Sequence, residues 1–215
     1  MAGIERKSPV CLPARPAKTE TRHGWTVVLE YFGEEGGPYL IDLSHCQKWD
    51  LQDGKISDLR PFGIPIPEAP GRCRLENGIL INRMNWSQVS VWCFSKESSG
   101  SPEISACTET TDAQALLALV GPNVFSITEK LCSLNLIDPK LEPPFLIQGP
   151  FSHVPCQIVV IERSGMNGAG LVAFSRGYAD DMVHAVLDAG REFGLRPAGE
   201  SAFQEAMQKG APLPA

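Results

Sequence analysis

The run Asp42-Leu-Ser-His45-Cys46 sets a carboxylate, a hydroxyl, an imidazole and a thiol side by side. Such a group could supply a nucleophile with an adjacent base. In a strand, however, successive side chains point to opposite faces, so Ser44 and His45 do not meet through their own backbone. The expectation is therefore structural: Asp42 accepts local backbone bonds at a strand end. His23, His153 and His184 stand in unrelated contexts, and no pair has the spacing of metal ligands on one face, so no metal is expected. The seven cysteines include no Cys-x-x-Cys and read as reduced thiols. Cys73, Cys93, Cys107, Cys132 and Cys156 read as small core residues, and Trp86 and Trp92 as anchors of a core or an interface.

A second candidate is the turn that holds Gly165, Gly168 and Gly170. Glycines allow backbone to approach a ligand closely, yet no carboxylate stands among them. The spacing is not Gly-x-Gly-x-x-Gly, no Lys-Ser/Thr pair follows, and the segment runs on into a strand-like Leu-Val-Ala-Phe. The turn reads as a binding scaffold that has lost its ligand.

The elements that must position these residues are legible in part. Residues 1–20 carry three prolines without periodicity and read as an extended N-terminal arm. Residues 25–32 and 39–44 read as strands. Residues 60–71 hold four prolines, which exclude both helix and central strand and leave a loop. Residues 72–83 and 88–94 read as two strands, with a polar loop over 95–105. The apolar run 113–120 fits a buried strand or a buried helix. Asn123 is the expected cap of a helix running to about residue 133. Residues 179–193 form the clearest helix, with Asp180 and Asp181 at its positive end and Gly194 as its stop. A last helix is expected over 201–208.

Interspersed strands and helices give an α+β fold, with a mixed or antiparallel sheet carrying packed helices, as one domain over residues 21–215. The composition, 43% hydrophobic and 20% charged, allows a sizeable core. A net charge of −6 argues against nucleic acid, which calls for a basic face. No apolar run approaches the roughly 18 residues of a membrane span. The N-terminus lacks the apolar stretch of a signal peptide, so a cytoplasmic protein is expected.

Six segments, in order, resemble one family. Asp42-Leu-Ser-His45 is similar to an Asp-Val/Leu-Ser-His strand end, and Glu76-Asn-Gly-Ile-Leu80 to a Gly-Gly-Ile/Val segment. Leu117–Pro122 resembles Leu-Ala-Leu-Gln-Gly-Pro, and Arg163-Ser-Gly165-Met-Asn-Gly168 resembles Arg-Thr-Gly-Tyr-Thr-Gly. Gly194-Leu-Arg-Pro-Ala-Gly199 is similar to Gly-Leu-Lys-Pro-Ala-Gly, and Gly210-Ala-Pro-Leu213 to Gly-Leu-Pro-Leu. These are marks of the folate-binding domain of the aminomethyltransferases, the glycine-cleavage T-proteins, whose fold also includes the gamma subunit of sarcosine oxidase.

The resemblance implies a tetrahydrofolate site whose functional residues are absent here. The family's aspartate pair falls on Ile81-Asn82, and Asn82 does not titrate as a general base. The family's pterin-binding glutamate falls on Ala169, and two arginines fall on Phe203 and Met207. What remains is a degenerate pocket marked by Arg163, Gly165, Gly168, Ala169 and Phe203. The chain also ends where T-proteins continue into a β-barrel. By resemblance the expected role is a noncatalytic accessory subunit of a multi-subunit oxidoreductase or demethylating complex acting on N-methylated amino acids. It would bind no cofactor itself, with flavin and folate held by flavoprotein and transferase sister subunits. Two alternatives stay open: an active tetrahydrofolate-dependent transferase with a relocated acid at Glu76 or Asp42, and a stand-alone small-ligand-binding protein.

Overall fold

The computed structural model describes residues 5–95 and 100–209. Its strands, in chain order, are β1 (Pro16–Arg22), β2 (Trp25–Tyr31), β3 (Tyr39–Asp42), β4 (Gln47–Gln52), β5 (Cys73–Glu76), β6 (Ile79–Arg83), β7 (Gln88–Cys93), β8 (Cys107–Glu109) and β9 (Gln114–Gly121). Helix α1 (Val124–Glu129) follows, then β10 (Phe145–Phe151), β11 (Val154–Ser164) and β12 (Asn167–Ser175). Helix α2 (Ala179–Gly190), β13 (Arg196–Ala198) and α3 (Glu200–Lys209) complete the described chain.

The strands form three sheets: the hairpin β1–β2, a six-stranded sheet in the order β10-β11-β12-β9-β3-β13, and a five-stranded sheet in the order β5-β6-β7-β4-β8. Pairing is antiparallel except between β13 and β3. The five-stranded sheet is spliced between β3 and β9, which are themselves neighbours with Asp42 opposite Leu117. The α+β expectation is met.

Strand β9 shows how one apolar run serves two layers. Ala115, Leu117 and Leu119 face α1 and α2 together with Val172, Phe174, Met182 and Val186. Leu116, Ala118 and Val120 face Leu80 and Trp92 of the five-stranded sheet, in a layer shared with Ala169 of β12 and Phe203 of α3. A strand buried on both faces has no polar alternation, which is why the run was ambiguous as sequence. A third apolar layer, built on Trp49, Leu51, Ile81 and Val91, is covered by the proline-rich segment through Ile64 and Ile66.

Three expectations change. Residues 5–20 are not a free arm: Val10 and Leu12 enter the core, and β1 pairs with β2 around His23-Gly24. That turn has φ of 50° and 83°, the dihedrals of a tight hairpin, and Pro16 is tolerated as a first strand residue. The single strand expected over 72–83 is a hairpin turned by Asn77-Gly78, with φ of 51° and 75°. The helix after Pro122 is six residues long, and Asn123 adopts φ 56° with no side-chain capping bond. Its N–H instead donates to Asn167 Oδ1 at 3.0 Å. Residues 1–4, 96–99 within the polar loop, and the Gly210-Ala-Pro-Leu213 motif lie outside the described residues.

Candidate functional site

The glycine turn is the tip of the β11–β12 hairpin, and Gly168 answers to backbone packing. A Cβ on Gly168 would lie 2.2 Å from the Glu162 carbonyl oxygen and 2.9 Å from the Phe125 ring, with φ +153°. The close approach arises where the β11–β12 register shifts between Val160 and Glu162. Gly168→Ala is expected to cost about 2 kcal/mol or more, read as a lowered midpoint in urea unfolding; an unchanged midpoint would contradict this assignment. Gly165 has φ +61° and open space around it.

The other marked residues are not gathered around a void. Ala169 and Phe203 are buried in the layer between the sheets, and the Phe203 ring centroid lies 5.2 Å from that of Phe94. The cavity beside Gly168, Ala169 and Ala206 measures about 20 Å³, room for about one water. Arg163 turns elsewhere: its guanidinium donates to the carbonyls of Leu136, Asp138 and Leu141 at 3.0–3.2 Å and so holds the 136–141 loop. Asn82 is fully buried; its Nδ2 donates to Ser90 Oγ at 3.3 Å, and Ser90 donates in turn to Gln157 Oε1 at 2.8 Å across the sheets. Asn82 Oδ1 and Trp92 Nε1 are buried without a partner.

Of the two relocated acids, Glu76 is half-exposed on the edge strand β5. Asp42 accepts from Ser8 Oγ at 2.5 Å and from the Ser44 N–H at 2.9 Å. The second bond is the local one expected of a strand-end aspartate.

The turn after Asp42 does bring reactive groups together, through partners that sequence spacing does not reveal. Pro197-Ala-Gly199 lays the start of α3 against β2, where a Cβ on Gly199 would lie 2.2 Å from the Leu29 carbonyl. Glu200, the first residue of α3, thereby meets Arg22 at the end of β1. Arg22 Nη1 and Nη2 each donate to one Glu200 oxygen at 2.8 Å, and Arg22 also pairs with Glu20 at 2.7 Å. His45 Nε2 lies 3.1 Å from Glu200 Oε1 and 3.7 Å from Cys46 Sγ. The side chains of Glu200 and His45 are only 2% and 7% exposed. Lys48, wholly buried, donates to the carbonyls of Ser44 and Cys46 at 2.8 and 2.7 Å and fixes the turn.

Burial alone would raise the Glu200 carboxyl, but its bonds from His45 and Arg22 reverse this and hold it at about 2. Burial opposes charge on His45 as well, yet Cys46 and then Glu200 raise it to about 10. Lys48 is pushed down to about 8 by burial, against the pull of Cys46 and Asp42. The arrangement is not that of a nucleophile–base–acid relay. Such a relay needs the thiol on one imidazole nitrogen and the carboxylate on the other, and here both contacts fall on Nε2.

No protein-family model matches the chain. Among curated proteins, an aminomethyltransferase of Bacteroides fragilis is 30% identical over 124 residues, 56% of this chain and 32% of that protein. Another from Chlorobium phaeovibrioides is 30% identical over 125 residues with the same coverage. The match thus spans about a third of the length of these relatives. Among solved structures, a chain of the heterotetrameric sarcosine oxidase from Corynebacterium sp. U-96, in complex with pyrrole 2-carboxylate, superposes with a TM-score of 0.55. The overlap covers 72% of this chain and 84% of that one at 14% identity, which is a likeness of fold.

Proposed function

We propose that this chain, a distant homologue of the aminomethyltransferases over about half its length, is a noncatalytic accessory subunit of a multi-subunit oxidoreductase or demethylating complex. By its relatives' chemistry that complex handles N-methylated amino acids in the cytoplasm, with flavin and folate carried by flavoprotein and transferase sister subunits. The observation that carries this reading is the filled layer between the sheets. Ala169 and Phe203 pack there among core residues, at the positions to which the resemblance assigns a carboxylate and an arginine. A pterin's ring N–H groups would find no acceptor on Ala169, and each unmet group costs about 1–3 kcal/mol. Membership of a complex is further supported by the fold shared with a chain of a heterotetrameric sarcosine oxidase. The net charge of −6 disfavours a nucleic-acid partner, and among the described residues no helix is long and apolar enough to cross a membrane.

Two measurements test the proposal. Titration calorimetry of the full chain with tetrahydrofolate is expected to give no heat of binding at micromolar concentrations. A micromolar site would favour the transferase alternative. Native mass spectrometry of the endogenous material is expected to recover a hetero-oligomer containing a flavoprotein, since obligate interfaces commonly bury on the order of 2,000 Å² or more. A lone 23.4 kDa species at both low and high salt would overturn the accessory role.

A further inference from the structure

We propose that His45, Cys46 and Glu200 form a binding site for a thiophilic divalent cation, zinc in the first instance. An imidazole nitrogen, a sulfur and a carboxylate oxygen, one from each residue, lie within 4.8 Å of one another in a buried setting. The convergence of sulfur and carboxylate on a single imidazole nitrogen, which spoils a relay, is what a shared metal requires. A tetrahedral zinc shell has Zn–N and Zn–O bonds of about 2.0–2.2 Å and Zn–S of about 2.3 Å, which place N and O roughly 3.4 Å apart and N and S roughly 3.6 Å apart. The corresponding separations here are 3.1 and 3.7 Å, and the sulfur and the carboxylate oxygen, within 4.8 Å of each other, close on the ion by side-chain rotation.

The surroundings suit such an ion. Lys48 bonds the Ser44 and Cys46 carbonyls and so holds the turn that carries both His45 and Cys46. Arg22 bonds both oxygens of Glu200, and its Nη1 also stands 3.5 Å from His45 Nε2; on binding Nη1 withdraws and Oε1 passes to the metal, while Oε2 keeps Nη2 and orients the carboxylate. Glu20 already balances Arg22. Zinc, the Arg22 guanidinium and Lys48 together carry four positive charges, and the Cys46 thiolate, Glu200, Glu20 and Asp42 carry four negative ones. The Cys46 thiol and the His45 imidazolium each release a proton to solvent as the sulfur–metal and nitrogen–metal bonds form. A surface cleft lined by His23, Gln47, Cys93 and Ser95 reaches His45 and Cys46, giving an entry path and a solvent ligand for the fourth position. Because the ligands join the turn after β3 to the start of α3, the metal would act as a clamp on the fold.

The test uses the full chain under reducing conditions, first with cobalt(II) as a spectroscopic probe and then with zinc in competition with a chromophoric chelator. The expected result is one equivalent bound per chain, with the d–d bands of tetrahedral cobalt and a sulfur-to-cobalt charge-transfer band in the near ultraviolet. Cys46→Ser should abolish the charge-transfer band. It and Glu200→Gln should each weaken zinc at least about tenfold, the lower end of what even an outer-sphere partner contributes, whereas Cys11→Ser on the surface should change neither. Absence of the band in the unsubstituted protein would overturn the proposal without reliance on any variant. So would a band or a zinc affinity that survives Cys46→Ser.

Discussion

Glu200→Ala is expected to lower stability by about 3–5 kcal/mol, the cost of stripping one partner from a buried charge pair. Arg22 would lose both of its 2.8 Å bonds to Glu200 and keep only Glu20, while His45 would lose its carboxylate neighbour. Urea unfolding measures the loss. The double variant Arg22→Met/Glu200→Leu should recover much of it, because an apolar pair leaves no uncompensated charge. A single-variant loss under about 1 kcal/mol would place the pair among weak surface bridges instead. The pH dependence carries the same sign. The Glu200 carboxyl is held at about 2 against an ordinary value near 4.5, so its contribution is complete above pH 4.5 and disappears as pH falls through 2. His45 behaves oppositely: raised from 6.5 to about 10, its contribution is complete below pH 6.5 and fades as pH rises through 10. Glu200→Gln should flatten the acid limb.

What sequence conveyed about this cluster was limited by the range over which its partners act. Asp42, His45 and Cys46 were conspicuous as neighbours, and alternation along a strand argued against their cooperation. Residues 44–46 form a turn between β3 and β4, where alternation does not govern, and that admits the His45–Cys46 contact. Glu200 and Arg22 are 178 residues apart and meet only because Gly199 lets α3 abut β2. The sequence signal that existed was an acid placed directly after Pro197-Ala-Gly199 at a helix start. The same contrast runs through the fold. Helix α2 was readable from its amphipathic face, its first-turn aspartates and Gly194, all local. The turns His23-Gly24 and Asn77-Gly78 were equally local, and the second is among the strongest hairpin signals. The splicing of a five-stranded sheet between β3 and β9 has no local signature, since it is fixed by which apolar faces find one another.

Phe203→Ala is the sharper probe of whether a ligand pocket persists. Phe203 sits on α3 with its ring against Phe94 and its neighbours Trp92, Leu80 and Ala169 in the layer between the sheets. Removing a buried phenyl ring from such a core costs about 3–5 kcal/mol, because the transfer energy of the ring and the cavity left behind add. A side chain lining an open ligand site behaves differently. Its truncation leaves stability within about 1 kcal/mol and shows up in binding, as the lost contacts are with ligand or solvent. The expected outcome is therefore a large drop in the urea midpoint with no appearance of tetrahydrofolate binding. The enlarged cavity would still lack a carboxylate at position 169 for the pterin's donors. A small stability loss accompanied by new folate affinity would mean that Phe203 plugs an otherwise intact site. In that case the sequence divergence at 169 and 203 regulates a transferase pocket, and the accessory-subunit reading loses the observation that carries it.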